Sequence, residues 1–186
     1  DPEQGFRSIH FYDRMAREEV WADLVRGHEA LCKFLGKAPL GARVPHFGTF
    51  QQPGELAFLY ETLSGLGYRY SSSTLPMISA VRGPLHRAGG ICEIPVSGTP
   101  DRPWAVMDSW MFFESPVRQW QAGDFLRQCQ RYAQGIAEQV PAGILNLYAD
   151  PSQINDQPEF WAGLDVLLTF AKPTTLGEVA TGCPES

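Results

Sequence analysis

The sequence predicts an α/β protein whose sheet is open or whose barrel is incomplete. Segments with the apolar spacing of helices alternate with short runs that are typical of buried strands. Glycine or proline separates most of these segments, as expected at the ends of helices and strands. Fewer strands are visible than a closed (β/α) barrel requires. No internal repeat or linker divides the 186 residues, so we expect a single domain over residues 1–186.

A helix is predicted over residues 15–35, because apolar side chains recur there at helical spacing. The predicted apolar face holds Val20, Trp21, Leu24, Val25, Leu31, Cys32 and Leu35. Gly36 follows as a natural stop. A short strand is then predicted at residues 42–44, because Pro45 cannot continue a sheet ladder.

The next helix is predicted from Pro53 to a stop at Gly67, since proline suits the first turn of a helix. The run "YRYSSS" that follows is predicted to be a short strand. Residues 76–90, rich in glycine, proline and arginine, are predicted to be a loop. In that loop His86 lies between arginines, so we expect it to face solvent.

Two strands and a helix are predicted in the middle of the chain. "ICEIPVS" (91–97) has the character of a buried strand, and residues 105–110 form a weaker one. The helix begins with Asp124 as its N-cap and ends at Pro141. Its buried face is predicted to hold Phe125, Leu126, Cys129, Tyr132, Ile136 and Val140.

The last quarter of the chain predicts two more strands. Residues 143–149 and 165–171 are apolar runs of strand length, and residues 150–156 between them are predicted to be a loop. Asp156 and Glu159 have the spacing of a capping box for a further helix. "TLGEVA" predicts a short final helix.

Charge and composition exclude several classes of partner. The net charge of −6, with no basic block, argues against a nucleic-acid surface. No apolar run has the length of a membrane span. The four cysteines are far apart in sequence, which argues against a zinc finger and favours free thiols over disulfides. Free thiols indicate a reducing compartment, so a cytoplasmic location is expected.

Five segments, in order, resemble the polysaccharide deacetylase (NodB homology) family, in its sugar-deacetylase branch. They are "LGKAPLGARVP", "LSGLGYRYSSSTLP", "EIPVS", "ILNLYADPSQI" and "TFAKPTTLGEVA", within residues 5–181. The resemblance implies a distorted (β/α) barrel. It also implies a hydrolase that removes acetyl groups from N-acetyl sugars in bacterial surface polysaccharide metabolism, with a divalent metal, usually zinc, as cofactor.

The resemblance also implies roles for particular residues. Arg43 corresponds to the arginine of the Arg-x-Pro motif, which orients a catalytic carboxylate through a charged hydrogen bond. Asp150 stands at the late His-Pro motif, where a proton-transfer group is expected. Pro45, His46 and Tyr148 are expected to line the substrate site beside these two residues.

The metal-binding motifs of the family are altered in this sequence. The family's strand that ends in Thr-Phe-Asp-Asp has no counterpart among the 186 residues, so the domain is expected to be N-terminally incomplete. In one register the His-x-x-x-His positions fall on Gln4 and Ser8; in another, His10 is paired with Phe6. A site formed by His10 and His46 with Asp13 or Asp108 is the remaining metal hypothesis, and the absence of a metal is the alternative.

Aromatic residues near Asp108 form a second candidate surface. Trp104, Trp110, Phe112 and Phe113 could stack on sugar rings while Asp108 binds hydroxyl groups, or they could flank a hydrophobic core. On the first hypothesis Asp108 and Trp110 are substrate-binding residues. Trp120 would then lie at the rim of the same surface.

Two functions therefore stand side by side for this chain. The first is a metal-dependent carbohydrate deacetylase, with weak or absent hydrolysis by these 186 residues alone. The alternative is a catalytically inactive, deacetylase-like subunit that binds a glycan or a partner chain. A sheet edge left uncovered by a missing strand would be an association site, including for a second copy of the chain. A generic α/β hydrolase has no support, because no Gly-x-Ser-x-Gly elbow occurs.

Overall fold

The structure is a computed structural model that describes residues 11–117, 120–139 and 143–184. The described residues form two compact units. Unit 1 contains residues 11–74, 85–94 and 176–184, and unit 2 contains residues 75–84 and 95–175 apart from the undescribed positions. Each unit has its own core, and each is described by itself below.

Helices account for most of the regular structure in both units. They are α1 (Arg17–Leu35), α2 (Pro53–Gly65), α3 (Pro76–Arg82), α4 (Asp124–Gln139), α5 (Pro151–Ile154), α6 (Pro158–Leu168) and α7 (Leu176–Ala180). Single helical turns occur at Tyr12–Arg14, Phe47–Thr49 and Trp110–Glu114. Within the described ranges, no helix combines the length and apolar character that crossing a bilayer would demand.

A mixed four-stranded sheet forms the centre of unit 1. Its strands are β1 (Gly41–Ala42), β2 (Tyr70–Ser71), β3 (His86–Ala88) and β4 (Ile91–Glu93), in the order β1-β2-β4-β3. β1, β2 and β4 run parallel, whereas β3 is antiparallel to β4. The α/β class is confirmed. In the described part of the chain the sheet does not close, so the structure supports an open sheet and leaves a barrel unconfirmed.

The first helix has the predicted extent but not the expected burial. It begins at Arg17 and ends before Gly36, whose φ of +67° gives the predicted left-handed stop. Of its apolar face only Val20 is fully buried, and Trp21, Leu31 and Leu35 are exposed. The periodicity shows which residues share a helix face, but it cannot show whether another element covers that face.

The prediction of a loop over residues 76–90 was wrong. Pro76 occupies the first turn of α3, and residues 86–91 form a tight hairpin between β3 and β4. Gly89 and Gly90 both have positive φ, as a two-residue hairpin turn requires. His86 is consequently buried at 8% exposure instead of facing solvent, because it lies in a paired strand.

Unit 2 is built around an aromatic core between α4 and α6. Its buried residues are Met107, Phe112, Trp120, Phe125, Cys129, Phe160 and Leu167. The predicted strand at 165–171 lies largely in α6 and was wrong. The predicted strands at 105–110 and 143–149 are reduced to isolated bridges, Gly98 with Val106 and Asp108 with Tyr148. Leu145 and Leu147 pack against the aromatic core, which explains the apolar character of their run.

Two acidic residues predicted to cap helix N-termini, Asp124 and Glu159, make other contacts than expected. Glu159 does not cap its own helix; its carboxylate accepts from the backbone N–H groups of Gly123, Phe125 and Leu126 at the start of α4. Asp124 opens α4, and its Oδ2 accepts from the Gln121 N–H at 2.6 Å. Residues 150–156, predicted to be a loop, contain the short helix α5.

All four cysteines are free, and three of them are buried. Burial raises the pKa of the Cys129 thiol to about 12, and burial together with the neighbouring Cys183 raises the pKa of Cys92 to about 12. A raised pKa keeps these thiols protonated near neutral pH, whereas alkylation requires the thiolate. Cys32 is only half-buried.

We therefore expect iodoacetamide at pH 8 to modify Cys32 first, as read by intact mass and peptide mapping. Cys92, Cys129 and Cys183 should react on the timescale of unfolding, and all four should react rapidly in guanidinium chloride. Cys32→Ser is the control and should abolish the fast phase. Fast modification of Cys129 in the folded protein would contradict the described core.

Candidate functional site

The carboxyl ends of three parallel strands meet at one edge of the sheet in unit 1. β1 leads into Arg43, β2 leads into Ser72–Thr74, and β4 ends at Glu93. In open α/β sheets, ligands bind outside this edge. We call Arg43, Ser71, Ser72, Ser73, Thr74 and Glu93 the carboxyl-edge cluster.

Arg43 is held across the edge by the residue that follows β2. Its Nε donates to the Ser72 carbonyl at 2.8 Å, and its Nη2 donates to the Ser72 hydroxyl. The guanidinium carbon lies 5.7 Å from the centre of the Phe47 ring. Arg43 therefore lies at the carboxyl edge with a fixed orientation, and its cation is placed where ligands of such sheets bind.

Ser73 is the centre of a second set of contacts. Its hydroxyl accepts from the Val44 backbone N–H at 3.2 Å and from the Ser71 hydroxyl at 2.9 Å. Its carbonyl accepts from the Gln51 amide at 2.8 Å, and the same amide nitrogen contacts the Phe47 carbonyl. Small hydroxyl side chains allow this close packing while satisfying the backbone groups beyond the strand ends.

Glu93 is the fully buried carboxylate of the cluster. Its Oε1 accepts three hydrogen bonds, from the Ser73 N–H at 2.8 Å, the Thr74 N–H at 3.0 Å and the Thr74 hydroxyl at 2.9 Å. Its Oε2 is buried without a hydrogen-bond partner in the described structure. The exposed fraction of Glu93 is 0%. One oxygen thus orders the loop after β2, and the other is enclosed without a hydrogen-bond donor among the described residues.

The sequence analysis does not single out Glu93 as a candidate site residue. The available signal was an acidic residue at the end of an otherwise apolar strand, in "ICEIPVS". The donors that hold it come from residues 73 and 74, about twenty positions earlier in the chain. Sequence spacing alone does not reveal that pairing.

The predicted residues Pro45 and His46 follow Arg43 in unit 1. His46 has a φ of +48°, which is uncommon for a residue other than glycine, and its ring lies 4.4 Å from that of Phe11. The Thr49 hydroxyl contacts both the His46 carbonyl and Asp13 Oδ1. Thr49 thus connects the turn that begins at His46 with the turn that contains Asp13. His10, Gln4, Ser8 and Phe6 lie outside the described residues.

The other predicted site residues belong to unit 2. Asp108 forms a parallel bridge with Tyr148, and Asp150 lies two residues beyond it. Ser109 connects them, because its N–H donates to the Tyr148 carbonyl and its hydroxyl accepts from the Asp150 N–H at 2.9 Å. The structure therefore brings Asp108, Tyr148 and Asp150 together.

Both acidic side chains at this bridge bind nearby backbone groups. Asp108 Oδ1 accepts from the Met111 N–H at 2.7 Å, and Asp150 Oδ1 accepts from the Ser152 N–H at 3.0 Å as the N-cap of α5. Trp110 is 42% exposed beside Asp108. The proposed aromatic surface is divided, because Phe112 and Trp120 are stacked in the core while Trp104 and Trp110 reach solvent.

Comparison with known proteins gives one informative match. No protein-family model matches the chain, and no curated protein matches it. A crystal structure of the "putative polysaccharide deacetylase" of Mycobacterium smegmatis superposes with a TM-score of 0.61 at 18% sequence identity. The alignment covers 92% of this chain and 58% of that one.

The two chains are similar in fold. At 18% identity the similarity concerns the fold alone, and this chain spans less than two thirds of the length of its neighbour. The resemblance seen in the sequence is supported at the level of the deacetylase fold, and the roles of individual motif residues stay predictions.

The donor set of the described residues does not fit the zinc site that the deacetylase resemblance implies. Within residues 11–117, 120–139 and 143–184, no three His, Cys, Asp or Glu side chains lie close enough together to hold a metal ion. His46 and Asp13 are linked through Thr49, whereas the His46 ring packs against Phe11 and Asp13 accepts from the Thr49 hydroxyl. We therefore derive no chemical step through a metal.

Proposed function

We propose that the protein is a deacetylase-like hydrolase that acts on acetylated sugars or glycans. The observation that carries this proposal is Arg43, which the Arg-x-Pro resemblance marks and which follows β1 at the carboxyl edge, where Ser72 orients it. Similarity in fold to a polysaccharide deacetylase over 92% of the chain supports the same class.

One feature of the cluster, the Arg43 cation, suits the hydrolysis of an acetyl group. A guanidinium fixed at the edge of the sheet stabilises the negative charge that develops on an acetyl oxygen during hydrolysis. Glu93 keeps the loop of residues 72–74 in place through Oε1, and that loop in turn positions Arg43 through Ser72. The proton-transfer role that the resemblance implies for Asp150, in unit 2, stays a separate prediction.

A second candidate, glycan binding without hydrolysis, is favoured by the donor set. The resemblance implies a divalent metal, and the described side chains do not supply a donor set for one. On this candidate the carboxyl-edge cluster would recognise an acetylated sugar, and no acetate would form.

Acetate release separates the two candidates. The purified chain is incubated with N-acetylglucosamine oligomers and with acetylated xylan, with zinc added or with chelator, and free acetate is measured. The hydrolase proposal predicts acetate release above a heat-denatured control. Binding of the oligomers without acetate release would support the second candidate, and neither binding nor release would contradict both.

A further inference from the structure

A short, closely constrained loop in unit 2 carries an exposed tryptophan. Gly98 and Val106 form an antiparallel bridge at its base, and the Thr99 N–H donates to the Ala105 carbonyl at 3.0 Å. A side chain at Gly98 would meet the Pro103 carbonyl oxygen at 1.9 Å, so only glycine permits this closure. The backbone of residues 98–106 is therefore held in one tight conformation.

The same loop is anchored to α4 and to the aromatic core. Asp101 pairs with Arg131 and accepts from the Gln128 amide at 2.7 Å, and the Gln128 carbonyl accepts from the Asp101 N–H. The Arg102 guanidinium lies 4.6 Å from the centre of the Trp120 ring. These contacts fix the loop before any ligand arrives, which lowers the entropic cost of binding.

Trp104, near the tip of this loop, is 64% exposed. It borders a cavity of about 400 Å³, which is within the size range of small-molecule sites. None of the eleven residues that line the cavity carries a charge. Alongside Trp104 they include Pro76, Ser79, Thr99, Pro103, Tyr132 and Ile144. We call this cavity the Trp104 groove.

We propose that the Trp104 groove binds a neutral saccharide ring, with the indole stacked on the ring's C–H face. The absence of charge in the lining favours an uncharged ligand, and the net charge of −6 disfavours a nucleic acid or another polyanion. The Ser97 hydroxyl, which accepts from the Asn146 N–H, can still donate to a sugar. The Tyr132 hydroxyl, which donates to the Gly98 carbonyl, can still accept from one. This inference rests on the proposed function, because that proposal identifies the ligand as a glycan.

The test is a binding titration of the purified full chain with the N-acetylglucosamine tetramer and with cellotetraose, by calorimetry and saturation-transfer NMR. Trp104→Ala is expected to weaken binding about fivefold to tenfold, because it removes the stacking surface. Trp104→Phe should restore most of the affinity. Trp21→Ala, which removes another exposed tryptophan, is the matched control and should bind as the wild type does.

The outcomes separate this inference from the proposed hydrolase activity. If the wild type binds a saccharide and Trp104→Ala does not, the result supports binding in the Trp104 groove, even if no acetate is released. If acetate is released and Trp104→Ala binds the saccharide as the wild type does, the groove proposal is wrong and the hydrolase proposal is still supported. The inference also fails if neither saccharide binds at millimolar concentration, or if Trp21→Ala weakens binding as much as Trp104→Ala does.

Discussion

Replacing Glu93 with alanine is expected to destabilise unit 1 by about 3 kcal/mol. The substitution removes the acceptor of three buried donors, on Ser73 and Thr74, and leaves them without partners. Loss of the unpartnered Oε2 offsets part of this cost, because a buried polar atom without a hydrogen bond is destabilising. Urea unfolding followed by circular dichroism measures the change.

Glu93→Gln is the informative companion of this variant. It keeps an oxygen for the three donors and replaces the unpartnered Oε2 with an amide nitrogen, so we expect it to lie within about 1 kcal/mol of the wild type. Glu61→Ala, at an exposed position of α2, is the surface control. Equal unfolding midpoints for Glu93→Ala and Glu61→Ala would show that the buried contacts are described wrongly.

Replacing Phe125 with alanine is expected to cost unit 2 about 3–5 kcal/mol. Phe125 is completely buried; its ring stacks on Phe160 at 5.1 Å and meets Phe112 edge-to-face at 5.2 Å. Its removal leaves a cavity between α4 and α6 that these rings cannot fill without rearranging. Thermal unfolding by calorimetry measures the loss.

Phe170→Ala removes the same side chain from a position that is 51% exposed and should change stability by less than about 1 kcal/mol. Phe125→Leu retains much of the volume and should fall between the two variants. If Phe125→Ala and Phe170→Ala unfolded at the same temperature, the aromatic core would not be the main source of stability in unit 2.

Helices that begin at a proline or end before a glycine could be predicted from the sequence. Gly36 ends α1, and Pro53 begins α2, as expected for residues whose backbone preferences act locally. The apolar run 165–171 predicts a strand, but a short apolar run fits a buried helix equally well, and residues 165–168 belong to α6. In the structure that run continues α6, which packs against α4. Only the tertiary partner decides between the two forms.

The candidate site could be predicted in part, for a similar reason. Arg43 was found because a local motif marks it, and the structure places it directly after β1. Glu93 was not found, because its importance comes from donors that another strand supplies. Local sequence specifies where a strand ends, whereas the pairing of strands decides which ends meet.

The central claim is that the carboxyl-edge cluster, through Arg43, serves the removal of acetyl groups. The most direct measurement is acetate release from N-acetylglucosamine oligomers by the wild type, Arg43→Ala and the surface control Arg82→Ala, each shown to be folded. We predict about a 100-fold loss for Arg43→Ala and wild-type release for Arg82→Ala. Wild-type release by folded Arg43→Ala, or no release by the wild type, would contradict the claim.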